Sequence, residues 1–192
     1  MARRYLAILI TTLATILVAS AALADDRRTH TIKMKASGGR LEIEVPKDWG
    51  NKPEVTQGDN ATLIGFEPAG TRRDPIFRVT ILAGVPGEPI DAAIVRSSAE
   101  RLRDEFRDTA LEDAITVHDI AGEKNMISYF TLTDKEIKPR EYQYLTAAVV
   151  SDGTMAATFW FFTNDGAPDY AADAMHLMET LRYIPKEEKK KR

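Results

Sequence analysis

The sequence predicts an α+β fold, in which an antiparallel β-sheet of about six to eight strands carries helices packed on it. Several short segments alternate apolar and polar residues, a pattern that is typical of half-buried strands. Two longer segments have apolar residues at spacings of three and four, which indicates amphipathic helices. Clusters of glycine and proline separate these segments. A chain of 192 residues fits one such core, and we expect a single domain over residues 25–185.

The first residues predict export. Two arginines precede an uncharged apolar run over residues 5–23, which ends in Ala22-Leu23-Ala24. This pattern is typical of a Sec-type signal peptide over residues 1–24, cleaved after Ala24. The alternative is an uncleaved membrane anchor, because the run approaches the roughly 20 residues that span a bilayer, and the chain would then be a membrane-anchored structural protein of the envelope. We expect a periplasmic or secreted protein that touches a membrane only if the leader is retained.

The first two strands are predicted as a hairpin. Residues 29–36 and 41–45 both alternate, and Gly38-Gly39 between them suits a two-residue turn. That turn sets a register in which every cross-strand pair agrees in character: Lys35 with Glu42, Met34 with Ile43, Lys33 with Glu44, and Ile32 with Val45. The polar segment over residues 51–60 is interpreted as a surface connection.

The middle of the chain predicts two strands and a helix. Residues 61–66 and 75–83 are rich in β-branched and aromatic side chains, and a polar loop separates them. Asp91 then precedes an apolar stripe at helical spacing, made up of Ala92, Val95, Ala99, Leu102 and Phe106. An aspartate at this place either caps the helix or complements its dipole.

The last part of the chain has the densest apolar signal. Residues 114–120 and 125–132 predict a hairpin, and residues 142–150 predict a strand that turns at Ser151-Asp152-Gly153 into another, which ends at Phe162. These last two strands are apolar on both faces, so we expect them in the middle of a covered sheet. A final helix follows, with an apolar stripe of Tyr170, Ala174, Leu177, Met178 and Leu181. Residues 186–192 predict a charged, solvated tail.

Composition excludes several classes of function. The formal net charge of −3 disfavours a general affinity for nucleic acid or anionic lipid. Because of this negative net charge, we expect no nucleic acid as a partner. The absence of cysteine excludes disulfides, thiolate metal ligands and a catalytic thiol.

The sequence contains no recognisable catalytic or metal-binding pattern. His30, His118 and His176 lack metal-ligand spacing, and no nucleophile elbow, phosphate loop or dinucleotide motif is present. His118 and Asp119 are neighbours on a strand, so their side chains point to opposite faces. We expect no catalytic residue, no metal and no cofactor. The rival hypothesis is a hydrolase or metal-dependent enzyme that brings a carboxylate to His118 only in the fold.

Aromatic content without a catalytic grouping favours a binding or accessory protein, whose partner is expected to be a protein or a small apolar ligand. The predicted contact surface is the margin of the sheet near two tryptophans, with the basic loops beside it. Its members are Trp49, Arg72, Arg73, Lys138, Arg140 and Trp160. A tryptophan directly after a strand more often buries its ring at the edge of the core, and this alternative stays open for Trp49.

The order of elements also suggests a family. A strand ending in Val45-Pro46-Lys47-Asp48-Trp49, a strand pair around residues 63–66 and 77–81, the helix after Asp91 and the closing hairpin and helix resemble the PsbP-like family. The fold of that family is shared with the Ran-binding Mog-type proteins and with bacterial periplasmic relatives of unknown role. The resemblance, over residues 29–184, implies an α/β/α sandwich and an accessory or binding role. No functional residue of the family maps onto this chain.

Overall fold

A computed structural model describes residues 27–47, 49, 52–66, 77–84, 86–122, 124–137, 141–164 and 171–186. The strands are β1 (Arg27–Lys33), β2 (Arg40–Pro46), β3 (Glu54–Gln57), β4 (Ala61–Phe66), β5 (Phe77–Gly84), β6 (His118–Ala121), β7 (Met126–Thr133), β8 (Tyr144–Ser151), β9 (Ala156–Thr163) and β10 (Arg182–Ile184). The helices are α1 (Ala92–Phe106) and α2 (Ala171–Thr180). The predicted signal peptide, residues 1–24, and the tail after Lys186 lie outside the described residues.

The strands form two antiparallel sheets. The small sheet has the order β1-β2-β10, and the large sheet has the order β3-β4-β5-β9-β8-β7-β6. Since two helices pack on these sheets in the described part of the chain, the predicted α+β fold is confirmed, and the large sheet has the expected number of strands.

The large sheet lies between two hydrophobic cores. Its first face packs against the small sheet and α2, and the core there includes Ile32, Leu41, Ile43, Ile64, Ile81, Phe159, Leu177 and Met178. Its second face packs against α1 through Val95, Ala99, Phe130, Leu145, Ala147 and Val149. Burying one aliphatic or aromatic side chain of this size stabilises a fold by about 1.5–3 kcal/mol. The expectation that β8 and β9 lie inside the sheet is confirmed, with β8 covered on both faces and Trp160 and Phe162 of β9 half-buried on the second face.

Two caps determine where the helices begin and end. The Asp91 carboxylate accepts a hydrogen bond from the Ile94 backbone N–H at 2.9 Å, so that of the two roles expected for Asp91 at the start of α1 the structure shows the N-cap. At the end of α2, the buried amide of Asn125 donates to the carbonyl oxygens of Met178, Glu179 and Leu181 at 2.8–3.1 Å. The two hydrogens of one NH₂ group are thus shared among two carbonyls at the end of the helix, which the helix leaves without partners, and the carbonyl of Leu181, which follows it.

The first hairpin differs from its prediction. Gly38 and Gly39 do not form a two-residue turn, because the Gly38 N–H bonds to the Met34 carbonyl oxygen at 2.9 Å and the Met34 N–H to the Gly39 carbonyl oxygen at 3.0 Å. The loop is therefore longer, and the register moves by four residues, so that Thr31 pairs with Glu42. A shift by an even number keeps every side chain on its expected face. It changes every cross-strand partner.

Two strands were missed in the sequence. The segment interpreted as a surface connection contains β3, which pairs with β4 at the edge of the large sheet. The segment after α2 contains β10, which pairs with β2 in the small sheet. Both are short and carry mostly exposed or half-buried residues, so that neither produces a clear alternation.

Candidate functional site

A basic groove lies where the β1–β2 loop meets the chain that leaves β10. It has a volume of about 590 Å³ and opens to solvent. Its lining is Lys33, Met34, Lys35, Gly38, Gly39, Arg40, Gln57, Ile184, Pro185 and Lys186. Of the lining residues that the structure describes, four are cationic and none is anionic, in a chain whose formal net charge is −3. We call this feature the basic groove.

Two glycines form the floor of the basic groove, and each position requires glycine for a different reason. Gly38 has a φ of 69°, in the left-handed region that favours glycine. Gly39 is tightly covered, because a Cβ there would lie 2.7 Å from the Ile184 carbonyl oxygen and closer still to the Tyr183 hydroxyl. A side chain at either position would disturb the contact between the loop and β10.

One wall of the basic groove is held by Gln57 of β3. Its Oε1 accepts hydrogen bonds from the Lys35 N–H and the Thr62 hydroxyl, both at 3.0 Å, and its Nε2 donates to the Lys33 carbonyl oxygen at 2.8 Å. The two bonds to Lys33 and Lys35 tie the edge of the large sheet to the first hairpin, and the bond from Thr62 of β4 holds the Gln57 side chain in place. The lysine backbone is thus fixed, although the lysine side chains are exposed.

The opposite wall is held by Asp152, in the turn between β8 and β9. Its Oδ2 accepts the Tyr183 N–H of β10 at 3.0 Å. Its Oδ1 accepts the backbone N–H groups of Thr154 and Met155 and the Thr154 hydroxyl, at 2.7–3.1 Å. Burial raises the pKa of this carboxyl, but the hydrogen bonds lower it by more, so that the net shift is downward.

The charges of the basic groove are poorly compensated. Lys33 lies directly opposite Arg40 across the β1–β2 ladder, and like charges at such positions repel. The positive charge of Arg40 is compensated by Glu42, whose carboxylate lies 3.1 Å from the Arg40 Nε. The same carboxylate also pairs with Arg182. The hydrogen bond from Arg40 lowers the pKa of the Glu42 carboxyl, and Arg182 adds to the effect.

The remaining three cations, Lys33, Lys35 and Lys186, make no ion pair within the described residues. The register is the reason for this. The predicted hairpin would have paired both lysines of the first strand with glutamates of the second, Lys33 with Glu44 and Lys35 with Glu42. In the observed hairpin the same two glutamates pair with threonines, Glu44 with Thr29 and Glu42 with Thr31. The basic groove therefore arises from the longer loop.

The predicted contact surface is only partly visible. Trp49 is 1% exposed and belongs to the first core, so its ring presents no contact surface. This corrects the assignment of Trp49 to a partner surface, for the reason that a tryptophan after a strand tends to bury its ring. Arg72, Arg73, Lys138 and Arg140 lie outside the described residues.

Trp160 lies on the second face of the large sheet, where it is half-buried against the core beneath α1. On the same face, Leu63 and Leu82 pair across β4 and β5 and are 39% and 36% exposed. Helix α1 packs on β7 and β8 instead of these strands. The face beyond Trp160 thus has a partly exposed apolar strip.

The histidines provide no catalytic arrangement in the described part of the chain. His118 stacks beside Tyr129, with ring centroids 5.3 Å apart. Asp119 points to the other face, where Ser128 donates to it at 2.8 Å and Arg96 pairs with it. His30 packs against Phe66, and its burial, followed by the nearby Arg28 charge, lowers its pKa.

His176 is half-buried, and its Nε2 lies 3.0 Å from a Glu44 carboxylate oxygen. Among the residues the structure describes, no group of three or more histidine, aspartate or glutamate side chains is placed to hold a metal ion. Within the same residues, no helix combines the length and the apolar character that crossing a membrane requires.

The sequence did not reveal the basic groove. Its lysines are spread over residues 33–35 and 186, and nothing in the sequence indicates that β10 returns to the first hairpin. The two adjacent glycines were a usable signal, because Gly39 is explained by the close approach of Tyr183.

Comparisons with known proteins identify no family. No family model matches the chain, and no curated protein matches its sequence. A crystal structure from Bacteroides thetaiotaomicron VPI-5482, determined at 1.50 Å resolution, is similar to it with a TM-score of 0.44 and 16% identity. That similarity covers 77% of this chain and 46% of the other, so this chain spans about half the length of its neighbour. The resemblance to the PsbP-like family thus rests on the quoted residues alone.

Proposed function

We propose that this chain is an exported, non-enzymatic binding protein that holds an anionic ligand in the basic groove. The observation that carries the proposal is the cross-strand pair of Lys33 and Arg40, to which Lys35 and Lys186 add two amines that make no ion pair with any described residue. Like charges held together cost stability, and a bound anion would relieve that cost. The periplasmic or secreted address rests on the predicted signal peptide, residues 1–24.

The size and the rigidity of the basic groove support a ligand site. Its volume of about 590 Å³ falls within the range of roughly 300–1,000 Å³ that is typical of small-molecule sites. Gln57 and Asp152 fix its two walls through hydrogen bonds to the backbone. A site whose walls are fixed before binding loses less conformational entropy when the ligand arrives.

An anion is favoured over the small apolar ligand that the sequence suggested. The apolar space between α2 and the large sheet, beside Phe159 and Leu177, is only about 10 Å³, which is about the space of one water molecule. Trp49, one of the two aromatics on which that expectation depended, is buried.

The test is the thermal stability of the protein with and without a multivalent anion. Citrate and pyrophosphate should raise the melting temperature of the wild-type protein, because a ligand that binds only the folded state stabilises it. The rise should be lost when Lys33, Lys35 and Lys186 are all changed to glutamine. Lys52→Gln, at an exposed lysine outside the basic groove, is the matched control and should keep the rise.

Choline chloride at the same ionic strength controls for screening by salt. If neither anion raises the melting temperature beyond this control, or if the triple variant responds as the wild type does, the proposal is refuted.

A further inference from the structure

The charge pattern of the basic groove also restricts the class of ligand. We infer that the ligand is a small multivalent anion, with at least two separate anionic groups that engage Lys33, Lys35 and Lys186 together. This inference rests on the proposed function and goes further, because it specifies the valence and the size of the ligand.

The valence follows from the compensation of charge. Arg40 already has Glu42 at 3.1 Å, which leaves three amines without an ion pair within the described residues. A ligand with one negative charge would neutralise one amine and leave the other two repelling each other. Two or three anionic groups would neutralise the set.

The type of side chain supports separate groups on the ligand. The three unpaired cations are lysines, whose ammonium groups act as compact point charges on flexible stems. Arginine, which suits a planar two-oxygen contact with a single carboxylate, occurs once in the lining and is engaged. Separate lysines fit anionic groups that are distributed over a ligand.

The positions of the three lysines fit a ligand that bridges the basic groove. Lys33 and Lys35 belong to the β1–β2 hairpin, whereas Lys186 follows β10. The Lys186 side chain lies over Gly38, since a Cβ on that glycine would be 3.2 Å from the Lys186 Cδ and 3.9 Å from its Nζ. A ligand held by the loop lysine and by Lys186 therefore spans both walls.

A long polyanion fits less well than a small one. The groove volume is that of a small-molecule site, and the acidic net charge of the chain repels an extended anionic polymer outside the groove. The length of the ligand can therefore be tested separately from its valence.

The experiment is isothermal titration calorimetry of the full chain at fixed ionic strength with two graded series of anions. The phosphate series is orthophosphate, pyrophosphate and tripolyphosphate, and the carboxylate series is acetate, succinate and citrate. We expect the affinity to rise about two- to fivefold for each added anionic group, the value of one exposed charge pair. The steeper series identifies the preferred chemistry.

Three single variants, Lys33→Gln, Lys35→Gln and Lys186→Gln, provide the second measurement. Each variant should reduce the affinity for citrate, with three anionic groups, by about two- to fivefold and the affinity for acetate, with one, by less. Lys52→Gln should change neither. Circular dichroism of each variant verifies that the fold is retained.

The outcomes separate the two proposals. Anions that bind equally at every valence, with binding lost in the triple lysine variant, would refute the multivalent ligand and leave the proposed function standing. Binding of a 20-nucleotide single-stranded DNA more tightly than tripolyphosphate would also refute the small ligand. Absence of binding by every anion would refute the proposed function itself.

Discussion

Replacing Asp152 should release β10 and with it one wall of the basic groove. The informative change is Asp152→Asn, because an amide retains one oxygen for Thr154 and Met155 but presents an NH₂ group to the Tyr183 N–H. Asp152→Ala removes all of these bonds. The two variants thus separate the turn between β8 and β9 from the contact with β10.

The magnitudes follow from the count of hydrogen bonds. A hydrogen bond to a charged group contributes about 1.5–3 kcal/mol when it is well shielded, and less when it is partly exposed. Since Asp152 is half-buried, we expect Asp152→Asn to lower the free energy of unfolding by about 1–2 kcal/mol and Asp152→Ala by about 2–4 kcal/mol. Asp113→Asn, at an exposed aspartate without a side-chain hydrogen bond in the described structure, should change it by less than about 0.5 kcal/mol.

Urea unfolding measured as a function of pH gives a second readout. The pKa of Asp152 is lower in the folded than in the unfolded chain, so the unfolded chain binds the proton more readily. The contribution of its charge is therefore present above the unfolded value of about 3.9 and is lost as the pH falls through the folded pKa. The gap between wild type and Asp152→Asn should accordingly narrow in acid. A gap that is constant down to the lowest accessible pH, or equal to that of Asp113→Asn at neutral pH, would refute this account of Asp152.

Three further predictions test the packing of the fold that positions the site. Gly39→Ala should lower the free energy of unfolding by about 1–3 kcal/mol, because the new Cβ would meet the Ile184 carbonyl oxygen. Gly87→Ala, whose Cβ would have no atom within 4 Å, is the control and should be close to neutral. Equal effects of the two variants in chemical denaturation would contradict the close approach at Gly39. Asn125→Ala should lower the free energy of unfolding by about 1–3 kcal/mol and increase amide hydrogen exchange at the end of α2, because three carbonyl oxygens lose their donor. Unchanged hydrogen exchange at the end of α2 would contradict the role of Asn125 as a cap. Ile81→Thr, at a fully buried position, should lower the free energy of unfolding by about 2–4 kcal/mol. Leu82→Thr, on the partly exposed strip, should lower it by less than about 1 kcal/mol. The reverse order in thermal unfolding would show that the two faces of β5 are misassigned.

Much of the fold could be predicted from periodicity alone. The alternation in β4 and the helical spacing after Asp91 depend on local burial, and the structure confirms both, with β4 at Ala61–Phe66 and α1 at Ala92–Phe106. Strands β3 and β10 were missed because each has only three or four residues and none of them is buried.

The first hairpin shows why a site is harder to predict than a fold. Two registers that differ by four residues bury the same side chains, so the hydrophobic pattern cannot distinguish them. The pairing of Lys33 with Glu44 seemed favourable by charge, but the structure pairs Lys33 with Arg40. The local preference for opposite charges is worth only about 0.2–1 kcal/mol per pair, which the packing of Gly39 against β10 can exceed. The basic groove results from this competition between distant segments.

The most direct test of an anion site in the basic groove is a titration of ¹⁵N-labelled protein with tripolyphosphate, followed by the backbone amide chemical shifts. The account predicts concentration-dependent shifts centred on Lys35, Gly38 and Gly39, together with the Gln57 side-chain NH₂ that donates to the Lys33 carbonyl. Shifts centred on the strip of Leu63, Leu82 and Trp160 instead, or no shifts at millimolar tripolyphosphate, would contradict it.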